Sequence, residues 1–318
     1  MKTNQNLYFL IILLVLSVNC KSDKKSNTEV KEILIEEIEN KSNTIEIVTR
    51  SMEFQCPDTI PSGWNTFIYK NISNETHFFL MDKYPEGKTI ENTLKDVVPP
   101  FEKGMDLINQ GNSEKGFAEF GNLPEWFFNV VFSGGSGLIG PKNTSITTIK
   151  LEPGYYIMEC YVKMPNGKFH TSMGMAKPII VTQENSGNLP PTPDVEITIS
   201  KNEGINYSGN LTKGEHIFSV YFKDQAPHEH FIGHDVNLVK LDANADLEKL
   251  EAWMNWSTPF GLKTPVPEGV TFLGGVNESP AGATGYFKAT LTSGKYAFIS
   301  EVPESKKKNM LKIFNISE

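Results

Sequence analysis

Sulfur and imidazole side chains are the groups in this chain best suited to metal or redox chemistry. Its 318 residues include three cysteines and six histidines. On spacing alone the densest cluster is His228-Glu229-His230 followed by His234. Alternate residues of a strand share a face, so His228 and His230 would point the same way, with His234 returning through a tight turn at Gly233. Three imidazoles suit Cu(II) or Zn(II), with Glu229 as an outer or fourth ligand. The alternative is a solvent-exposed loop whose histidines titrate at their ordinary value. His216 reads as a packing or surface histidine. Catalytic signatures are missing: there is no Gly-x-Ser-x-Gly, no phosphate-cradling glycine loop after a strand and no His-Glu-x-x-His. The expectation is a protein that is not an enzyme.

The elements that would carry these groups occur twice. Thr44–Ser51 and Val195–Ser200 alternate like half-buried strands. Pro61–Asn71 corresponds to Thr212–Phe222, and His77–Tyr84 to His234–Leu241. Helical patterns follow near Thr89–Val98 and Ala245–Trp253. Both halves then reach a Gly-Gly pair, Phe132–Gly135 and Phe272–Gly275, and close with Leu151–Cys160 against Leu291–Ser300. Short strands divided by turn glycines predict a mainly β protein of two tandem Greek-key sandwiches, each with a short helical insertion. The expected domains are 44–184 and 195–318, joined by a Gly-, Asn- and Pro-rich linker at 185–194.

Ahead of the repeats, Lys2 precedes the apolar run Leu7–Leu16, which is too short to span a bilayer and reads as a signal peptide over residues 1–19. The run leads into Leu16-Ser-Val-Asn-Cys20, which resembles a bacterial lipoprotein signal. That resemblance implies that Cys20 is lipidated and becomes the first mature residue, with 20–43 as a charged tether. The protein is then expected to be exported and anchored to a membrane of the bacterial envelope by its acyl chains alone.

Within the first repeat, chain order runs from a strand through Asn71–His77 to a second strand, a late strand ending at Cys160, then His170, Met175 and Ile179-Ile-Val181. This order resembles the cupredoxin family, over most of 44–182 and more faintly over 195–315. The resemblance implies that one copper ion is held by His77, Cys160, His170 and Met175, with Met173 as an alternative axial ligand. Thiolate and imidazole in a near-trigonal plane with a weak thioether suit copper in both oxidation states. The interval between His170 and Met175 matches the family, whereas the one between Cys160 and His170 is longer and contains the turn Met164-Pro-Asn-Gly-Lys168.

Two hairpin registers are open. A three-residue loop, Pro165–Gly167, pairs Val162 with His170 and puts Cys160 and His170 on one face; a two-residue loop, Asn166-Gly167, sends them to opposite faces. A Cys56–Cys160 disulfide is a competing use of the thiol in an exported protein. The second repeat has Ser300 in place of Cys160, and only Met310 follows it, so no blue centre is expected there. The other methionines and Trp64, Trp126, Trp253 and Trp256 read as core residues.

The net charge of −8 argues against nucleic acid as a partner, since phosphate binding requires a basic surface. The functional expectation is an exported lipoprotein whose first repeat binds one copper for electron transfer or copper handling. A metal-free β-sandwich acting as a surface binding or scaffold module is the alternative.

Overall fold

A computed structural model describes residues 44–318. The expected signal segment, Cys20 and tether lie outside the described residues. Fifteen strands form the framework. In the first repeat they are β1 (Thr44–Thr49), β2 (Thr59–Asn71), β3 (His77–Lys83), β4 (Val131–Ile139), β5 (Thr144–Leu151), β6 (Gly154–Glu159) and β7 (Ala176–Asn185). In the second they are β8 (Val195–Ser200), β9 (Gly204–Ser208), β10 (Gly214–Phe222), β11 (Val236–Leu241), β12 (Val270–Val276), β13 (Thr284–Leu291), β14 (Gly294–Ile299) and β15 (Leu311–Ile316). Only β9, a hairpin partner of β8, has no counterpart in the first half.

Each repeat packs two sheets face to face. β1 runs parallel to β2, and β2 pairs with β5, while the start of β2 crosses to pair with β7 in the sheet β7-β6-β3-β4. The second repeat copies this as β8-β10-β13 and β15-β14-β11-β12. Alternating burial along β1 and β2 is the signature of strands with one face in the core. Phe67, Phe218, Phe272 and Phe298 are fully buried, and each contributes about 1.5–3 kcal/mol through the water it excludes.

Rather than standing apart on the linker, the repeats form one compact unit. β4 pairs with β12 in one sheet and β5 with β13 in the other, so both sheets run through the junction. Each ladder joins equivalent positions: Ser136 and Val276, which follow Gly135 and Gly275, and Thr147 and Phe287, the fourth residues of β5 and β13. Equivalent strands meeting at equivalent residues give the junction the local symmetry of a two-fold. The Gly-Gly pairs are needed for a related reason. A side chain at Gly135 would overlap the Phe79 carbonyl, and one at Gly275 the Val236 carbonyl.

The helical insertion of the first repeat is longer than its sequence pattern. Helical turns at Ile90–Asn92 and Thr93–Val97 lead into α1 (Val98–Asn109), followed by α2 (Ser113–Glu119). Pro99 and Pro100 have no N–H to return to the preceding turn, so the chain opens there, with Val98 N–H donating to Thr93 C=O, and resumes as a regular helix beyond them. The prolines sit in its first turn, where an N–H is not required. The second repeat has one short helix, α3 (Leu247–Trp253), capped by Asp246 accepting from the Glu248 and Lys249 amides.

Gly135→Ala is expected to lower the unfolding free energy by about 3 kcal/mol, because its methyl group enters the β3 backbone. Gly121→Ala, with open space around it, serves as the neutral control in chemical denaturation.

Candidate metal centre

Three separate segments deliver the donor atoms of the first repeat. His77 opens β3, where its pairing with Ile139 fixes the backbone. Cys160 stands just past the end of β6, and its N–H donates to the Met175 carbonyl at 3.2 Å. His170 follows the hairpin and precedes a single 3₁₀ turn, Thr171–Met173.

Hydrogen bonds within the hairpin choose between its two registers. Gly167 N–H donates to Met164 C=O and Met164 N–H to Lys168 C=O, both at 2.8 Å, and His170 N–H donates to Val162 C=O at 2.8 Å. The loop is therefore Pro165–Gly167, with Gly167 at φ 85, where a left-handed residue closes a three-residue hairpin. Val162 faces His170, and the His170 ring turns to the side of the ribbon that carries the Cys160 thiol.

The outcome is a buried triad. His77 Nδ1 lies 3.8 Å and His170 Nδ1 3.7 Å from Cys160 Sγ. The three donor atoms fall within 4.8 Å of one another, and all three residues are at 0 % exposure. Metal–nitrogen bonds of about 2.0–2.1 Å and a metal–sulfur bond of about 2.3 Å, opened to about 120°, separate N from S by about 3.7 Å. The observed N–S separations would let both imidazoles and the thiolate hold one ion. Met175 is fully buried beside them, its N–H donating to the His170 carbonyl at 3.0 Å. Met173, the alternative axial ligand, is 49 % exposed and is not a core residue of the centre.

Burial sets the protonation of the donor set. It pushes the His77 imidazole down to about 4. Burial, reinforced by the neighbouring His77, takes His170 down to about 3. Burial raises the Cys160 thiol to about 12. Both imidazoles are thus neutral, with lone pairs available, while the thiol needs a cation to make its anion favourable. Outside the triad, His170 Nε2 lies 3.2 Å from Glu75 Oε2, although the angles are poor for a hydrogen bond. A ring bound through Nδ1 carries its proton on Nε2, where this carboxylate can hold the ring's orientation. Glu75, in the Asn71–His77 loop, has no sequence signal beyond its nearness to His77.

A lysine ties the hairpin to the second repeat. Lys163 is completely buried, and its Nζ donates to the Trp256 and Thr258 carbonyls at 2.8 and 2.6 Å. Its N–H donates to Leu262 C=O, and its own C=O accepts from Thr264 N–H. The segment after α3 therefore clamps the ribbon that presents His170.

Other candidates resolve differently. The His228, His230 and His234 side chains do not converge. His228 Nε2 meets His234 Nδ1 at 3.2 Å, and His234 Nε2 lies 2.9 Å from Asp224 C=O. His230 adopts a left-handed backbone and stacks on Phe117 with centroids 3.8 Å apart. Glu229 pairs with Lys308 at 2.7 Å instead of serving a metal. The segment forms a 3₁₀ turn rather than the strand that would have aligned two imidazoles. Among the described residues, His77, Cys160 and His170 are the one group of at least three such side chains placed to hold an ion. Among the described residues no disulfide competes for the thiol: Cys56 and Cys160 are both free, with Cys56 Sγ 4.0 Å from Met158 Sδ. His216, as expected, is a packing histidine held by Asp194 and Thr212.

The second repeat keeps the backbone of the centre without its donors. Ser300 N–H donates to Met310 C=O and Met310 N–H to Ser305 C=O, as Cys160 does to Met175 and Met175 to His170. Ser305, buried at the position of His170, is a correspondence that the shorter intervening loop hides in the sequence. The Ser300 hydroxyl donates to Asp235 Oδ1 and accepts from the Asp235 amide.

No protein-family model matches the chain, and no curated protein matches it. Among solved structures it is similar to dithionite-reduced auracyanin from Roseiflexus castenholzii, at 22 % identity over 44 % of this chain and 98 % of that one, with a TM-score of 0.27. Auracyanin A, a "blue" copper protein from Chloroflexus aurantiacus, aligns at 20 % identity over 44 % and 98 %, with a TM-score of 0.26. The copper-containing nitrite reductase of Thermus scotoductus aligns over 86 % of this chain and 61 % of its own at 11 % identity, with a TM-score of 0.22. The fit of the triad to a metal rests on its own atoms and distances.

Lys163→Met keeps the length of the side chain but leaves the Trp256 and Thr258 carbonyls without a donor. It is expected to cost about 1–3 kcal/mol of stability in chemical denaturation. Burial also lowers the lysine to about 7 from 10.5. Between those values unfolding takes up a proton, so this residue makes stability rise with pH across that window. The same denaturation series repeated from pH 7 to pH 10 should show a shallower rise in Lys163→Met.

Proposed function

We propose that this chain is an exported, lipid-anchored electron-transfer protein whose first repeat would hold one copper ion on His77, Cys160 and His170, with Met175 supplying a thioether. The observation that supports this most directly is the convergence of two imidazole nitrogens on one thiol, at 3.7 and 3.8 Å, inside a sealed core. Thiolate with imidazole favours copper over harder ions. Copper bound there would take up and release one electron; the protein's part is to hold the donors in one arrangement for both oxidation states. His77 is fixed by the β3–β4 ladder, Cys160 by the Met175 carbonyl, and His170 by its hairpin and the Lys163 anchor. Complete burial of all three favours electron transfer over copper delivery, because a carrier that hands on its metal needs an open path to the ion.

A non-catalytic role follows from the same reading, with the second repeat as scaffold. Anchoring through Cys20 rests on the lipoprotein-like signal. Among the described residues no helix is long and apolar enough to cross a membrane. The metal-free scaffold alternative relied on a Cys56–Cys160 bridge or on opposed faces for Cys160 and His170, and neither is present.

Titrating the full chain with Cu(II) is expected to produce an intense thiolate-to-copper absorption in the visible at one equivalent, with metal analysis giving the same stoichiometry. Cys160→Ser should abolish the colour, and Met175→Leu should keep it while shifting the reduction potential upward. A colourless protein, or colour that persists in Cys160→Ser, would reject the centre.

A further inference from the structure

Between the two repeats lies a cleft of about 240 Å³. Its wall includes both neighbours of Cys160, Glu159 and Tyr161, but not Cys160 itself. Phe101, Phe169 and Trp256 pack against one another as the apolar side, with ring centroids 6.0–6.3 Å apart. At the mouth stand Phe128, 60 % exposed, and Phe231, 42 % exposed, one from each repeat and 6.5 Å apart. Phe231 and its neighbour His230 are consecutive non-glycine residues in the left-handed region, at φ 52 and 59. Such strain is typically kept where a side chain must be aimed at a ligand.

The polar side of the cleft is acidic. Asp82, Glu159 and Glu278 line it, with no lysine or arginine among the lining residues. Asp82 is 3 % exposed, and its carboxyl group has only the neighbouring Glu159 carboxyl as a side-chain partner. Two adjoining carboxyl groups at that depth hold a proton between them, and ionising them is costly unless a cation reaches the pair. Burial accordingly holds Asp82 above the usual carboxylate range and raises Glu278 to about 8.

We propose that this cleft binds a small organic cation, an ammonium group joined by a short alkyl chain to one aromatic ring. The ammonium sits against Asp82 and Glu278, and the ring lies among Phe101, Phe169 and Trp256. Aromatic faces attract cations as well as apolar bodies. An apolar cavity of about 150 Å³ holds benzene, so this larger cleft accommodates a ring with a short aminoalkyl arm. A phenol or a neutral arene would fill the same apolar space but leave the acidic side unpaired. An anion would meet three carboxyl groups. None of these residues is a donor of the copper centre, so the proposal stands or falls independently of the metal.

The test is calorimetric titration of the full chain, without added metal, with phenethylammonium, phenethyl alcohol and phenylacetate, which share a ring and differ in charge. The cation is expected to bind at least about tenfold more tightly than the alcohol, with no detectable binding of phenylacetate. Asp82→Asn should remove that advantage while leaving the alcohol's affinity unchanged. Phe128→Ala, at an exposed rim position that does not threaten folding, should weaken both ligands. If Asp82→Asn fails to fold, the three-ligand series and Phe128→Ala decide the matter. Equal binding of all three compounds, binding of none, or a folded Asp82→Asn with unchanged preference for the cation would overturn the proposal.

Discussion

The His170 amide donates to the Val162 carbonyl at 2.8 Å, and the geometry of the centre depends on that bond. Side chains alternate along a strand, so a slip of one residue in this ribbon would carry the imidazole to the opposite face. The register is held at its tip by Gly167, whose left-handed backbone closes a three-residue loop, and at its flank by the second repeat. The ribbon is short, with a single isolated bridge between Lys163 and Phe169. Two strands alone are marginal in water, so the bonds from Lys163 to Leu262, Thr264, Trp256 and Thr258 do much to keep the ribbon in place.

This gives the second repeat a structural purpose although it lacks the donors. Its counterpart site keeps the backbone bonds around Ser300, Ser305 and Met310 but replaces thiol and imidazole with hydroxyl groups. The Ser300 hydroxyl is satisfied by Asp235, so the position is stable as a hydrogen-bonded core site without an ion. Freed from ligation, that repeat contributes the clamp on the hairpin and one wall of the cleft. Two paired positions in β4–β12 and three in β5–β13 carry both sheets through the junction, shorter ladders than the eight positions of β2–β5 or β10–β13.

Burial acts in opposite directions on the two groups of polar residues. At the triad it leaves imidazoles neutral and the thiol protonated, a state that is tolerable without an ion and well suited to receive one. At the cleft it holds Asp82 and Glu278 above the usual carboxylate range. Glu159 and Tyr161 flank Cys160 in the chain, so the two regions share a strand end while using different side chains.

Much of the architecture could be read along the chain because strand alternation, turn glycines and a repeated order are local signals. They identified both repeats and the Gly-Gly strands, whereas the set His77, Cys160, His170 and Met175 came from the resemblance to the cupredoxin family. The pattern fell short at 90–109, where the helix expected near Thr89–Val98 runs on through Pro99 and Pro100 to Asn109, and at His228–His234, where a 3₁₀ turn replaced the expected strand. Local pattern has no means of fixing how a ribbon is wound or what packs against it. The hairpin register was left between two loops of nearly equal local merit, and the choice came from hydrogen bonds across the ribbon and from a lysine reaching into the other repeat. Asp82, Glu278 and Trp256 lie far apart in the chain and form one cleft only because two sheets run unbroken through the junction. Residue order thus determined which donors were available; long-range packing decided which of them meet.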